Sequence, residues 1–212
     1  MNRTRRQTVH RLLVTWIALQ TLSMGCPLSH PPPVPATPSV CHNQCPSGWN
    51  YLDKSCYILV GEPLPWPDAE LRCHDLVVAA CGHGVMGHLA SIYGDAENNF
   101  VHCLWKRMGR GDMAIDGIYW IGLTKQSGHL YWTDGSLPLY HQWDSGVQET
   151  VDSKDGFCTY VSGRGISQKK WNTTDCEHPV NRVNGLPFAC EFVQAPNQPV
   201  NQPEPVRAPG PV

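Results

Sequence analysis

Ile118-Tyr119-Trp120-Ile121-Gly122-Leu123 is the stretch on which the reading of the fold turns. Its β-branched and aromatic residues carry no charge and read as a strand. Three more short runs of the same texture follow: Leu130-Tyr131-Trp132, Phe157-Cys158-Thr159-Tyr160-Val161 and Phe188-Ala189-Cys190-Glu191-Phe192. Turns rich in Gly and Asp, such as Asp134-Gly135, separate them. Before the stretch, Cys45-Pro46-Ser47-Gly48-Trp49 to Cys56-Tyr57-Ile58-Leu59 reads as a hairpin. Between that hairpin and Ile118 the periodicity is helical. Pro67, Asp68 and Glu70 suit a first turn, and Ala69, Cys73, Leu76 and Val77 recur on one face. The stretch Gly82 to Gly87 breaks that helix. A second is predicted from Asp95 to Met108, with Gly94 at the cap, Glu97 three residues on, and Phe100, Cys103, Leu104 and Met108 facing inward. Two early helices and a later loop-rich antiparallel sheet make an α+β pattern.

The whole chain has 212 residues, 41% of them hydrophobic and only 16% charged, which argues against general disorder. Net charge is −2, and no long basic run suggests nucleic acid as a partner. Ten cysteines and eight tryptophans stand out. Ten thiols imply either metal or an oxidising compartment. The N-terminus favours export: Arg3, Arg5, Arg6 and Arg11 precede an apolar run from Leu12 to Gly25, with Ser23 and Gly25 placed for cleavage before Cys26. The run is short for a spanning helix. Residues 1–25 are therefore expected to be a secretory signal, with an uncleaved anchor as the competing reading. No stable membrane insertion is expected of the mature protein.

Proline marks the rest of the organisation. Six of the 19 prolines lie between Cys26 and Val40, and six more between Val193 and Val212. Residues 26–44 read as a polyproline-rich stalk, and 193–212 as a tail too poor in apolar groups to fold. One domain remains, 45–192. From Cys41 to Phe192 there are 11 Lys and Arg against 17 Asp and Glu, a net −6. An acidic domain disfavours heparin-like or anionic-membrane partners.

The order of landmarks resembles the C-type lectin-like domain over about Cys45 to Phe192. The opening Cys45-Pro-x-Gly-Trp, Trp66-x-x-Ala69-Glu70-x-x-Cys73, His88-Leu89-Ala90-Ser91-Ile92 and Trp120-Ile121-Gly122-Leu123 are similar to that family's motifs. So are Trp132-x-Asp134-Gly135-Ser136, Trp143, Trp171-Asn172-x-x-x-Cys176 and Phe188-x-Cys190-Glu191, all in the same order. The resemblance implies a disulfide-stapled α+β fold with two helices, antiparallel sheets and a long loop. It also implies three bridges: Cys45–Cys56, Cys73–Cys190 and Cys158–Cys176. Cys81 and Cys103 are not family landmarks, and a local Cys81–Cys103 bridge is expected between them. Cys26 and Cys41 are left either to pair with each other, the favoured option, or to link two chains as a dimer.

Sugar-binding members of the family hold calcium with a Glu-Pro-Asn type triplet, a further acidic residue, and the Asn and Asp of a Trp-Asn-Asp triplet. Calcium needs six to eight oxygen ligands, and carboxylates supply most of its affinity. In the matching register this chain has Val147-Gln148-Glu149, then Gly156-Phe157 before Cys158, then Trp171-Asn172-Thr173. Most of the carboxylates are missing. Gln148, Glu149, Asp152, Asp155 and Asn172 remain as candidate ligand-binding residues near this face, and no cofactor or metal is expected, calcium being disfavoured. Asn172-Thr173-Thr174 is also an N-glycosylation sequon, and a glycan on Asn172 would cover the same face.

Rival chemistries are weaker. Cys81-x-His83-x4-His88 matches no zinc module, and the ten histidines fall in no nucleophile or metalloprotease motif. Trp49, Trp66, Trp120, Trp132, Trp143 and Trp171 are expected in the core. The sequence is thus read as a secreted, non-enzymatic recognition protein that binds an extracellular protein or glycan through the loop from about Leu137 to Phe157. A calcium-dependent lectin with a degenerate site, and a structural matrix or mineral-associated protein, are the alternatives.

Overall fold

Two indole N–H groups fix how the first helix meets the sheet. The computed structural model describes Cys41 and residues 44–108, 117–163, 165–177, 179 and 185–194. Strand β1 (Asn50–Leu52) turns into β2 (Ser55–Leu64), and helix α1 (Trp66–Cys81) follows. Further along the chain comes β4 (Ile118–Gln126), which contains the Trp-Ile-Gly-Leu run. Trp66 donates its Nε1–H to the Ile121 carbonyl at 2.9 Å, and Trp120 donates to the Leu64 carbonyl at 3.0 Å. Each indole therefore buries its ring and still satisfies its polar edge. Helix α1 has no side-chain cap, because Pro65 and Pro67 occupy its start. One orphan donor, the Trp66 N–H, is taken by the Cys176 carbonyl at 2.9 Å.

Strand β3 (His88–Leu89) leads to helix α2 (Asp95–Met108), whose bounds are those that the sequence predicts. Glu97 explains the start: its carboxylate accepts the Tyr93 N–H. Strand β5 (His129–Trp132) pairs with β4. Helix α3 (Val147–Ser153), β6 (Phe157–Ser162), β7 (Trp171–Thr174) and β8 (Leu186–Val193) follow. The sheet runs β1-β2-β8-β4-β6-β7, with β3 added on β8. Pairing is antiparallel except between β4 and β8, where Trp120 lies opposite Phe188.

Gly122 has a steric reason. A Cβ there would stand 2.6 Å from the Leu89 carbonyl oxygen and 2.7 Å from Thr133 Oγ1. Its N–H donates to the Ala90 carbonyl and its own carbonyl accepts from Thr133, both at 3.0 Å. Backbone is packed directly on backbone.

Among the described residues the expected two helices become three, since α3 stands inside the long loop. The disulfides Cys45–Cys56, Cys73–Cys190 and Cys158–Cys176 are present. The expected Cys81–Cys103 bridge is not: Cys81 is bonded to Cys41, and Cys103 is also in a disulfide. The reason is the side each helix faces. Cys81, at the end of α1, is buried with Cys41, Cys56, Val77 and Phe192. Helix α2 packs Phe100, Val101, Leu104 and Trp105 into a different cluster, with Tyr119, Ile121 and Trp171. The same bond overturns the favoured Cys26–Cys41 pair and removes Cys41 as an interchain link. Cys26, the signal at 1–25, most of the stalk and nearly all of the tail lie outside the described residues.

Candidate functional site

The long loop after β5 is organised from a single carboxylate. Asp134 accepts Ser91 Oγ–H at 2.8 Å and Tyr93 O–H at 3.0 Å, and takes both the backbone N–H and the hydroxyl of Ser136. Burial pushes its carboxyl up, but these hydrogen bonds outweigh that and hold it below the usual carboxylate range. Leu137 and Leu139 follow, 71% and 86% exposed. The chain is then fastened to the start of α2, where Asp95 Oδ1 accepts from Tyr140 at 2.6 Å and Gln142 at 3.0 Å.

Tryptophan sets the next anchor. Trp171 is fully buried, donates its Nε1–H to Asn98 Oδ1 at 3.1 Å, and is met edge-on by Trp132, Tyr140 and Trp143. Its backbone N–H donates to Gln142 and its carbonyl accepts from Asp144. Trp143 is therefore held on both its main chain and its ring. Unlike Trp132 and Trp171 it is only half-buried, and so is Trp49, which meets Phe192 edge-on.

Helix α3 starts after Gly146, whose φ of 78° lies in the left-handed region that a residue without Cβ adopts most readily. Of its seven residues only Val151 is buried. Lys125, at the end of β4, donates Nζ–H to the carbonyls of Val151 and Asp152 at 2.6 and 3.4 Å. That places a cation at the negative end of the helix.

Against this frame the predicted residues separate into three places. Gln148, Glu149 and Asp152 stand exposed on α3, with Gln148 donating to Asp152 Oδ1 at 2.8 Å. Asp155 accepts the Gly128 N–H at 3.2 Å, at the β4–β5 turn. Asn172, half-buried on the edge strand β7, donates to Ser162 Oγ at 3.3 Å. The carboxylate beside Asn172 is Asp144, which sequence reasoning did not single out. Hydrogen bonds from Ser167, the Ser145 backbone and Asn172 hold the Asp144 carboxyl below its ordinary range. Among the described residues, no group of three or more His, Cys, Asp and Glu side chains is placed to hold a metal ion.

The disulfides, the sheet order and this loop can be set beside known proteins. A model of the lectin C-type domain matches residues 62–191. The chain belongs to this family. It is similar to C-type lectin 9a of Crotalus adamanteus, 32% identical over 152 residues, which cover 70% of this chain and 81% of that protein. It is also similar to lithostathine-2 of Mus musculus, 31% identical over 150 residues, covering 70% and 75%. Among solved structures, human lithostathine aligns with a TM-score of 0.56 at 28% identity, covering 72% of this chain and 92% of that one.

C-type lectin domains are generally non-enzymatic binding modules. This one has a cavity of about 350 Å³ between the β4–β5 hairpin and α3, where Lys125, Leu130, His141, Trp143, Gln148 and Asp152 converge. Sequence reasoning named two of these six as ligand-binding, Gln148 and Asp152. His141 and Trp143, with rings 6.2 Å apart, were legible only as a histidine and a core tryptophan.

Proposed function

We propose that this C-type lectin domain is a secreted recognition protein, without enzymatic activity, that binds an extracellular protein or glycan through its long-loop face and does so without calcium. The observation that carries this is what stands where the family's calcium ligands would be. Val147 and Thr173 offer no carboxylate, Gly156 has no side chain, and Phe157 is buried in the core at 5% exposure. Glu149, the acid that remains in register, sits on α3, while Asn172 is on β7 and bonded to Ser162. Calcium requires six or more convergent oxygens, and two side chains on separate elements do not supply them. The apolar run before Cys26, the sequon at Asn172 and the oxidised cysteines support export.

The face itself suits binding. Leu137 and Leu139 project into solvent from a loop whose base is fastened by Asp134 and Asp95. A rigid base with exposed apolar groups loses little entropy when a partner docks.

Thermal unfolding of the purified protein in millimolar calcium and in chelator tests the reading. We expect the two midpoints to coincide, because a ligand far below its dissociation constant adds almost no linkage free energy. Thr174→Ala, which removes the sequon and keeps Asn172, should leave that result unchanged. A rise of several degrees with calcium, or chelator-sensitive retention on a mannose or galactose column, would overturn it.

A further inference from the structure

We infer that Cys26 is bonded to Cys103, so that residues 26–41 are a strap closed onto the domain at both ends rather than a free stalk. The inference goes beyond the recognition reading and takes from it only that the chain is exported.

The pairing follows from a count and one observation. The chain has ten cysteines. Eight of them form Cys41–Cys81, Cys45–Cys56, Cys73–Cys190 and Cys158–Cys176. Cys26 and Cys103 remain. Cys103 is in a disulfide of this single chain. Cys26 lies outside the described residues, but it is the one sulfur left to be the partner of Cys103.

The place of Cys103 suits a partner that arrives from outside the domain. Phe100, Val101, Leu104 and Trp105 turn inward from α2, and Lys106 is exposed. Cys103 stands between those two faces and is half-buried, whereas Cys73, Cys158 and Cys190 are buried in the core. The reach is sufficient as well. Cys41 is fixed at the end of α1 by Cys81, and Cys26 is 15 residues before it. A chain of that length spans at most about 50 Å, against a radius of gyration of about 15 Å for a domain of this size.

Composition favours closure. Six prolines lie between Cys26 and Val40, and their φ angles are fixed before any bond forms, so less entropy is lost on closing the strap. Residues 26–41 hold no Lys, Arg, Asp or Glu, so no formal charge on those side chains has to be desolvated against the protein surface. The chemistry balances in an export compartment. The two thiols lose two protons and two electrons, one S–S bond forms, and a protein disulfide or glutathione disulfide is reduced to two thiols.

Two consequences follow for recognition. No cysteine is left to join two chains, so each covalent unit carries one long-loop face, and any avidity must come from non-covalent assembly. The sequence has no cysteine after Cys190, so the C-terminal flank is the one flank not closed onto the domain by a disulfide.

The test is disulfide mapping of the full chain produced in a eukaryotic secretory host. Peptic digestion of the unreduced protein at acid pH, where few thiolates exist to exchange, should yield a Cys26 peptide joined to one that contains Cys103. Alkylation in denaturant without reductant should label no cysteine, and the protein should run as a monomer on a non-reducing gel. Cys26→Ser should free one thiol per molecule, at Cys103, and Cys103→Ser one thiol, at Cys26, with the other four bridges recovered in both. If either variant fails to fold, the map of the native protein decides alone. Cys26 joined to any other cysteine, Cys26 capped by glutathione, or a disulfide-linked dimer would overturn the strap. Labelling confined to Cys26 and Cys103 removes the strap and leaves the export reading standing. Labelling of all ten cysteines removes both.

Discussion

The ammonium of Lys125 lies 2.6 Å from the carbonyl oxygen of Val151, so the end of β4 grips the last turn of α3. The two residues come from different elements, and this contact ties the helix in the long loop to the sheet. Because α3 buries only Val151, little else opposes its fraying. Lys125→Met keeps the stem and removes the charge. Amide exchange across Val147–Ser153 should quicken by about tenfold or more, the signature of local opening, while the global midpoint moves by no more than about 2 °C. Exchange unchanged at α3 would show that the grip is idle.

Glu191 is the buried acid of the fold. It is 2% exposed and accepts the Ser91 N–H at 2.9 Å. Burial, and next the charge of Glu97, push its carboxyl well above the ordinary value. A folded-state pKa above the unfolded one means that the fold is favoured by protonation. That contribution is fully present below about pH 4 and is lost as pH rises toward the folded value. Glu191→Gln keeps the acceptor for Ser91 and never ionises. We expect its midpoint to exceed that of the native protein by on the order of 3 °C at pH 7, with the gap closing toward pH 4. A gap that widens on acidification would contradict the sign.

Cys41 and Cys81 are separated by 40 residues. On the chain-entropy account, a loop of that length makes its cross-link worth about 4 kcal/mol. Replacing both by serine should lower the midpoint by about 10 °C, on the scale of 2–4 °C per kcal/mol for a chain of this size. Non-reducing peptide mapping of the native protein should recover Cys41 joined to Cys81. Recovering Cys81 joined to Cys103 would refute the structure here.

Gly122→Ala is the sharpest test of the Trp-Ile-Gly-Leu run. The added methyl meets the Leu89 carbonyl oxygen at 2.6 Å, and backbone cannot swing aside as a side chain can. A loss of about 1–3 kcal/mol, typical of overpacking, is expected in chemical denaturation. A neutral outcome would mean that the β3 segment shifts freely.

The parts of this fold that were legible in the sequence are those with a local signal at both ends. Helix α2 is one, because Gly94 stands immediately before it and Glu97, Phe100 and Leu104 lie within its own span. Helix α3 is the opposite case: one buried valine gives no stripe, and Gly146 reads equally well as a loop glycine. The Cys41 partner was not legible either, since position 41 lies beside a proline-rich stretch with no periodicity to aim it. The cavity is harder still. Lys125 ends β4, His141 and Trp143 stand in the loop, and Gln148 and Asp152 ride on α3, so only tertiary packing brings them together. The three bridges implied by family resemblance were available because that resemblance carries contact information that spacing lacks.

The chain enters and leaves this domain side by side, with Ser55 paired to Val193 and Gln194 donating to the Lys54 carbonyl. If both flanks were pulled, tension would not have to cross the β2–β8 pairing at all. From Cys41 it passes through the sulfur bond to Cys81, back along α1 to Cys73, across to Cys190, and out at Val193. The secondary structure on that route is about two turns of helix and the last residues of β8, Cys190 to Val193. A mechanical load would therefore lengthen the molecule by a few residues' worth of helix and then meet covalent bonds, leaving the long-loop side and its cavity unstretched. Under oxidising conditions the domain behaves as a nearly inextensible link between whatever its two flanks are attached to.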